Sequence, residues 1–381
     1  MSDRWPISFE RVNRIVVKIG SAVLTNERGV LAVRRLNGIV REVAALMDRG
    51  IQVIIVSSGA VASGVGEMSG KRPRDLNEKQ ALAAIGQGML MAHYRRAFRR
   101  HGRRVAQILV TREDMEDRRR YLNAYHTLEK LLQWGVVPIV NENDTTTVDE
   151  LCFTDNDMLA VIVATKMNAQ LLVLLSDVDG IYDKNPKEHR DAALIPVIGS
   201  VTREHEHLAS GVPSRMGRGG MMSKIRSARL ASVAGLPAVI ANGRRSGTLT
   251  GVLRGQVRAT LVLPQTPHGI RGRRKWIAIG GGGNERRAIE IDDGARAALV
   301  NGKKSLLPVG VRAVWGEFEA GEVVEIVDSA GEIVAKGLVN YSSHQLTEIK
   351  GLKSGEIQTR LGSDAPQEIV HRNNLVMIVN H

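Results

Sequence analysis

Through the first three quarters of the chain, short runs of consecutive apolar residues are each followed by a polar or glycine-rich turn and then by a helical spacing of apolar positions. The runs at 14–19, 51–56, 105–110, 136–140, 171–175 and 237–240 are strand candidates. Their hydrophobicity is continuous rather than alternating, as required when helices cover both faces of a parallel sheet. Between the first two, residues 31–48 set Leu36, Val40, Val43 and Met47 three or four apart, and Gly50 stands just past the end as a stop. Similar spacings predict helices over 78–100, 121–134 and 222–234. Strand followed by helix, repeated six times, is an α/β domain. Right-handed crossovers gather the loops after its strands on one edge, where open sheets bind ligands.

The pattern changes near Pro264. Pro264-Gln265-Thr266-Pro267-His268-Gly269 runs into Arg271-Gly272-Arg273-Arg274-Lys275, the Pro, Gly and charge content of a linker. Short apolar segments follow at 276–279, 305–308, 323–327, 333–338 and 375–379. The organisation expected is therefore a catalytic-sized domain over 10–263, a linker over 264–275 and a small β-rich, barrel-like domain over 276–381.

Composition narrows the function. With 43% hydrophobic and 24% charged residues the chain has a globular rather than a disordered mixture. Only 3% is aromatic, which weakens a single-strand nucleic-acid platform built on stacking. The formal net charge of +13 draws anions, whether a polyanion or a small phosphorylated or carboxylated substrate. Cys152 is the sole cysteine, so no intramolecular disulfide forms; with no secretory h-region after Met1, a cytoplasmic protein is expected. No apolar run reaches the length of a membrane span.

Neither the P-loop nor the Gly-x-Gly-x-x-Gly fingerprint is present, and the candidate chemistry lies at strand ends. Lys18 closes the first strand and is followed by Gly20-Ser21; Ser57-Ser58-Gly59-Ala60 follows the second. Asn141-Glu142-Asn143-Asp144 follows the fourth, a density of polar groups suited to an amine and a carboxylate. Asp155-Asn156-Asp157 precedes a helical run, so one acid can cap it while the second orients a lysine or a metal-bound water. Ser176-Asp177 ends the fifth strand, and Gly217-Arg218-Gly219-Gly220-Met221-Met222-Ser223-Lys224 opens a helix with free amides beside a mobile charge. Any one of these is also what an ordinary turn, cap or loop carries. Cys152 lacks a neighbouring histidine, no Ser-His-Asp order exists, and His205 and His207 do not have metal-ligand spacing, so no metal ligand is assigned to the protein. Lysines, glycine turns and carboxylates on one sheet edge fit phosphoryl transfer best.

These segments together resemble one family. Val16-Val17-Lys18-Ile19-Gly20-Ser21, Val56-Ser57-Ser58-Gly59-Ala60, the stretch from Leu109 to Arg118, Tyr121-Leu122-Asn123-Ala124, Asn141 to Asp144, Asp155-Asn156-Asp157 and Gly219-Gly220-Met221 resemble, in order, the glutamate 5-kinases of the amino acid kinase family. The tail resembles a PUA domain. The resemblance implies an amino acid kinase fold, a mainly parallel central sheet covered by helices, and ATP-dependent phosphorylation of the L-glutamate side chain. It implies that Lys18 and Lys224 flank the transferred phosphoryl group with Asp157 holding them, and that Ser58, Gly59, Asp144 and Asn156 bind glutamate. Gly20, Ser176, Asp177 and the run Arg218, Gly219, Gly220, Met221, Met222, Ser223 and Lys224 would surround ATP. Mg²⁺ with ATP, feedback inhibition by proline and a homo-oligomer, commonly a tetramer, are implied as well.

Two features depart from or extend that pattern. Arg218 stands where the family has threonine, which removes a hydroxyl role there while leaving the glycine backbone. Arg95-Arg96, Arg99-Arg100 and Arg103-Arg104 read as a solvated or subunit-facing helix end, with RNA contact as the rival; the PUA-like tail keeps RNA in view. Gly280 to Gly283 read as a turn or spacer. The competing functions are an amino acid kinase acting on acetylglutamate, carbamate or a nucleoside monophosphate, and an RNA-binding protein with a vestigial kinase domain.

Overall fold

The computed structural model describes residues 5–70, 73–111, 114–115, 117–145, 156–186, 188–210, 220–265, 277, 286–301, 304–352, 356, 360 and 366–378. The chain divides into two compact units, Met1–Pro267 and His268–His381.

In the first unit, strands β1 (Arg14–Ile19), β2 (Gln52–Ser57), β3 (Arg104–Val110), β4 (Val136–Glu142), β5 (Leu171–Ser176), β6 (Val197–Ile198), β7 (Ala238–Asn242) and β8 (Ala259–Val262) form an eight-stranded sheet in the order β3-β4-β2-β1-β5-β7-β8-β6. All neighbours run parallel except β7 and β8. The expected strands reappear here with boundaries shifted by a residue or two, because their unbroken apolar runs bury both faces: β1 and β5 are buried over almost their whole length. β6 and β8 were not foreseen. β6 has only two residues, and Ala259-Thr260-Leu261-Val262 is too short to stand out from the helix before it.

The helices Val33–Asp48, Leu76–Arg99, Arg118–Gln133 and Met221–Val233 match the apolar spacings, and Asn156–Lys166 is the helical run expected after Asp155. Short helices at Ser21–Leu24, Ala60–Glu67, Arg203–Ser210 and Thr248–Arg254 go beyond them, since one or two turns carry too little periodicity to read. The helix Asn156–Lys166 is buried along nearly its whole length, so it shows no polar face to the eye. The core gathers β1, β2 and β5 with Leu36, Val40 and Val43 of one helix and Leu90, Tyr94 and Phe98 of another.

The second unit holds a five-stranded mixed sheet, β10-β9-β11-β12-β13, from β9 (Ala288–Ile291), β10 (Val311–Trp315), β11 (Val323–Val327), β12 (Ile333–Leu338) and β13 (Leu375–Met377). Residues 305–308 do not form one of its strands. Leu306 makes only an isolated bridge to Val370, and Pro308, without an N–H to give a ladder, opens a 3-10 turn instead. Residues 276–279, apart from the buried Ile277, and Gly280 to Gly283 lie outside the described residues. The helix Ser343–Ile349 begins with a capping box between Ser342 and Gln345.

Candidate functional site

Parallel pairing sets the ends of β1, β2, β4 and β5 side by side. Ile19 is level with Ser57 on one flank and Leu175 on the other, Val56 with Val140, and Ser176 with Asn242. Lys18, Ser58, Asn141 and Ser176 therefore share one sheet edge, although up to about 160 residues separate them in the chain.

Lys18 points off β1 yet is only 3% exposed, a position an ammonium occupies only when paired. Its partner is Asp157 in the first turn of the helix Asn156–Lys166, with Lys18 Nζ 2.6 Å from Asp157 Oδ1. The other carboxylate oxygen faces Lys224 Nζ at 3.1 Å and accepts from Ser223 Oγ at 3.3 Å. Asp157 is fully buried and Lys224 nearly so. Burial, the largest single influence, pushes the Asp157 carboxyl upward, but the charges of Lys18 and Lys224 and their hydrogen bonds together outweigh it and hold the group below its ordinary value. The cluster gathers two ammonium groups around one buried carboxylate at the mouth of the sheet. Gly20 keeps the space beside it open, since a Cβ there would touch Lys18 Nζ at 3.4 Å.

Lys224 comes from the first turn of the helix Met221–Val233, whose N-cap is Gly220. Met221, Met222 and Ser223 are half-buried in the same turn, so the helix presents its positive end at this edge. Arg218 and Gly219 lie outside the described residues, as do Asp155 and Cys152.

A second cluster is neutral. Asn156 Nδ2 donates to Ser58 Oγ at 2.9 Å and to Asn141 Oδ1 at 2.8 Å, and Asn141 Nδ2 donates to Gln87 Oε1 at 3.0 Å. Gly59 follows Ser58 with φ +115, a conformation that glycine tolerates and a side chain resists, and this turns the chain from β2 into the helix Ala60–Glu67. Beneath them Ser57 Oγ and Tyr94 Oη are 2.7 Å apart. Burial raises the Tyr94 hydroxyl far above its ordinary range, against the weaker pull of Ser57, so it stays protonated.

On the far side of β1, Ser176 Oγ lies 3.4 Å from Asp177 Oδ1, and Asp177 faces Arg244 at 3.8 Å. Arg244 also donates to the carbonyl of Ala22, in the short helix after Gly20. Asp179, three residues past the end of β5, is buried between Arg245 at 2.9 Å and Arg258 at 3.5 Å.

The structure thus brings Lys18, Asp157 and Lys224 into contact, and Ser58 with Asn156. Asp177 pairs with Arg244 outside both clusters, and Asp144 lies on the turn after β4. Sequence reasoning missed Gln87, Arg244 and Arg245. For Gln87 a signal existed: it interrupts the apolar stripe of Ala83, Leu90, Met91 and Tyr94. Among the described residues no group of three or more His, Cys, Asp or Glu is placed to hold a metal, and no helix is long and apolar enough to cross a membrane.

A buried lysine pair braced by one aspartate, beside a helix N-terminus and a set of amide and hydroxyl groups, can hold a polyphosphate and bring a second anion up to it. Comparison with known proteins gives the family. The model of the amino acid kinase family matches residues 13–242, and that of the PUA domain matches residues 287–361. The glutamate 5-kinase of Moorella thermoacetica is 44% identical over 373 residues, 98% of each chain. That of Geobacter sulfurreducens is 46% identical over 373 residues, 97% of this chain and 99% of its own. Among solved structures, UMP kinase from Ureaplasma parvum aligns with 66% of this chain and 99% of its own at 16% identity and a TM-score of 0.47.

Proposed function

The chain belongs to the amino acid kinase family and, within it, to the glutamate 5-kinases, and on that premise we propose that it transfers the γ-phosphoryl group of ATP to the side-chain carboxylate of L-glutamate. The products are L-glutamyl 5-phosphate and ADP, and the reaction is the first step of proline biosynthesis. The observation that carries the reading is the contact of Lys18 and Lys224 with the buried Asp157.

The acceptor carboxylate is ionised near pH 7, so no general base is required. The barrier is the approach of two anions. A carboxylate oxygen attacks the γ-phosphorus in line, the new O–P bond forms as the bond to the β,γ-bridging oxygen breaks, and ADP leaves with that electron pair. Lys18 and Lys224 stabilise the equatorial oxygens of the transferring group, while Asp157 holds both ammoniums in place rather than taking a proton. Gly20, the amides from Gly220 to Lys224, and Ser176 with Asp177 border the nucleotide. Arg218 and Gly219 complete that loop in the same reading. Ser58, Gly59, Asp144 and Asn156 hold the amino acid.

Mg²⁺, brought in with the nucleotide substrate, would neutralise phosphate charge. The buried carboxylate at this edge already has both oxygens turned to ammoniums, which fits a dication carried by the triphosphate rather than by a protein cage. Proline feedback inhibition and a homo-oligomer, commonly a tetramer in the family, belong to the same proposal, with the family resemblance as their support.

The test is turnover with MgATP and L-glutamate, the acyl phosphate being trapped as its hydroxamate, with acetylglutamate, carbamate and UMP as parallel acceptors. Glutamate-dependent product that disappears in Lys224→Ala is expected. Product from another acceptor alone would overturn the reading, and a phosphoenzyme on the productive path would overturn the direct mechanism.

A further inference from the structure

We propose that Gln87, acting through Asn141, is a positioning residue that fixes which end of the Asn156 carboxamide faces the amino-acid substrate, and so sets recognition of the substrate's α-ammonium group. This rests on the glutamate-kinase reading above.

Gln87 lies on the buried face of the helix Leu76–Arg99 and is 9% exposed. A carboxamide withdrawn from water there needs hydrogen bonds from the protein or from a ligand. The bonds among Gln87, Asn141, Asn156 and Ser58 form a directional chain, because each carboxamide has an acceptor at one end and donors at the other. With Gln87 Oε1 turned to Asn141, Asn141 must present Nδ2 to it and Oδ1 to Asn156. Asn156 must then present Nδ2 to Asn141 and Ser58.

Asn156 Oδ1 is left over. It is buried and has no hydrogen-bond partner among the described residues, and the same holds for Gln87 Nε2 at the other end of the chain. A buried acceptor without a donor destabilises the free protein, and that penalty is relieved by a ligand that brings an N–H. Next to it, Ser58 Oγ accepts from Asn156 and has its own proton left to give. An acceptor beside a hydroxyl donor complements an ammonium and a carboxylate on one carbon. Reversing the chain would turn the Asn156 amide N–H groups into that space and repel the ammonium. The direction originates at Gln87, which acts without touching the substrate.

The test compares L-glutamate with glutarate, which differs by lacking the amine, in the full-length protein and in Gln87→Met and Gln87→Glu. Glutarate is measured both as acceptor and as competitor. Methionine fills the volume but replaces the carboxamide oxygen facing Asn141 with, at best, a weakly accepting thioether sulfur. We expect about a tenfold rise in KM for glutamate and about a tenfold loss of preference over glutarate, with kcat and the KM for MgATP within about twofold. Glutamate at 87 retains an acceptor for Asn141, so Gln87→Glu is expected to keep the preference. An unchanged preference in Gln87→Met, or an equal effect on MgATP and kcat, overturns the proposal. If circular dichroism finds Gln87→Met unfolded, Gln87→Glu decides: retained preference supports the relay and lost preference overturns it. Absence of glutamate turnover in the unmodified protein defeats the glutamate reading itself, whereas turnover with a preference indifferent to Gln87 defeats the relay alone.

Discussion

Gly86 stands directly against Gly64: a Cβ on Gly86 would lie 1.9 Å from the carbonyl oxygen of Ala60 and 2.3 Å from the amide nitrogen of Gly64. The reverse is equally tight, since a Cβ on Gly64 would come within 2.0 Å of the Leu82 carbonyl oxygen. The two helices therefore touch backbone to backbone. The contact matters for the site because one helix begins just after Ser58 and Gly59, and the other carries Gln87 one residue from Gly86.

Gly86→Ala is expected to force the helices apart and destabilise the fold by about 3 kcal/mol, the upper range for overpacking a tight contact. At Gly88 on the same helix an added Cβ would meet nothing within 4 Å, so Gly88→Ala is expected to stabilise by about 0.5–1 kcal/mol through helix propensity. Denaturant midpoints followed by circular dichroism check the pair; equal effects at both positions would defeat the packing argument.

Lys18→Met is expected to lower kcat about a hundredfold or more, the scale for removing one charge directed at a developing transition state. Lys18→Arg is not expected to restore it, because the planar guanidinium needs a wider space than the 3%-exposed pocket beside Gly20 allows. Steady-state kinetics with the trapped acyl phosphate give the answer, and a fully active arginine variant would show that position, not fit, is what counts.

Asp157→Asn leaves two buried ammoniums facing a neutral group, and activity is expected to fall about a hundredfold or more. Because the folded pKa of Asp157 lies below its unfolded value, its stabilising effect is complete above the unfolded pKa and is lost as pH falls through the folded one. The difference in unfolding free energy between the natural protein and Asp157→Asn is thus expected to stay constant from pH 8 to about 5 and to shrink only in stronger acid. A difference that declined between pH 8 and 6 would contradict the ion-pair assignment.

Glu42 accepts from the amides of Gly247 at 2.8 Å and Leu249 at 2.7 Å, so a side chain from the helix Val33–Asp48 satisfies the start of the helix Thr248–Arg254. Glu42→Ala is expected to remove about 1–2 kcal/mol of stability with kinetic constants unchanged. Thermal melts and turnover at one temperature separate the two effects; a kinetic loss without a shift in melting would place Glu42 nearer the chemistry than its bonds indicate.

Local patterning along the chain was enough to establish the alternation of buried strand and helix, the change of character after Pro264, and the residue types at the ends of the strands. Each is local: an apolar run or a glycine turn reads the same wherever the chain goes next. That is why Lys18, Asp157 and Lys224 were legible as candidates, and why the strands around them fell nearly where expected. That both lysines meet one carboxylate followed from folding, because the strand order that sets β1 beside β2 and β5 depends on long-range pairing. The same holds for Gln87, whose neighbours in sequence are apolar and whose partner, Asn141, is brought to it by the packing of a helix on the sheet. Buried polar pairs are chosen by geometry at a distance, and a single sequence carries the groups without stating which of them will face one another.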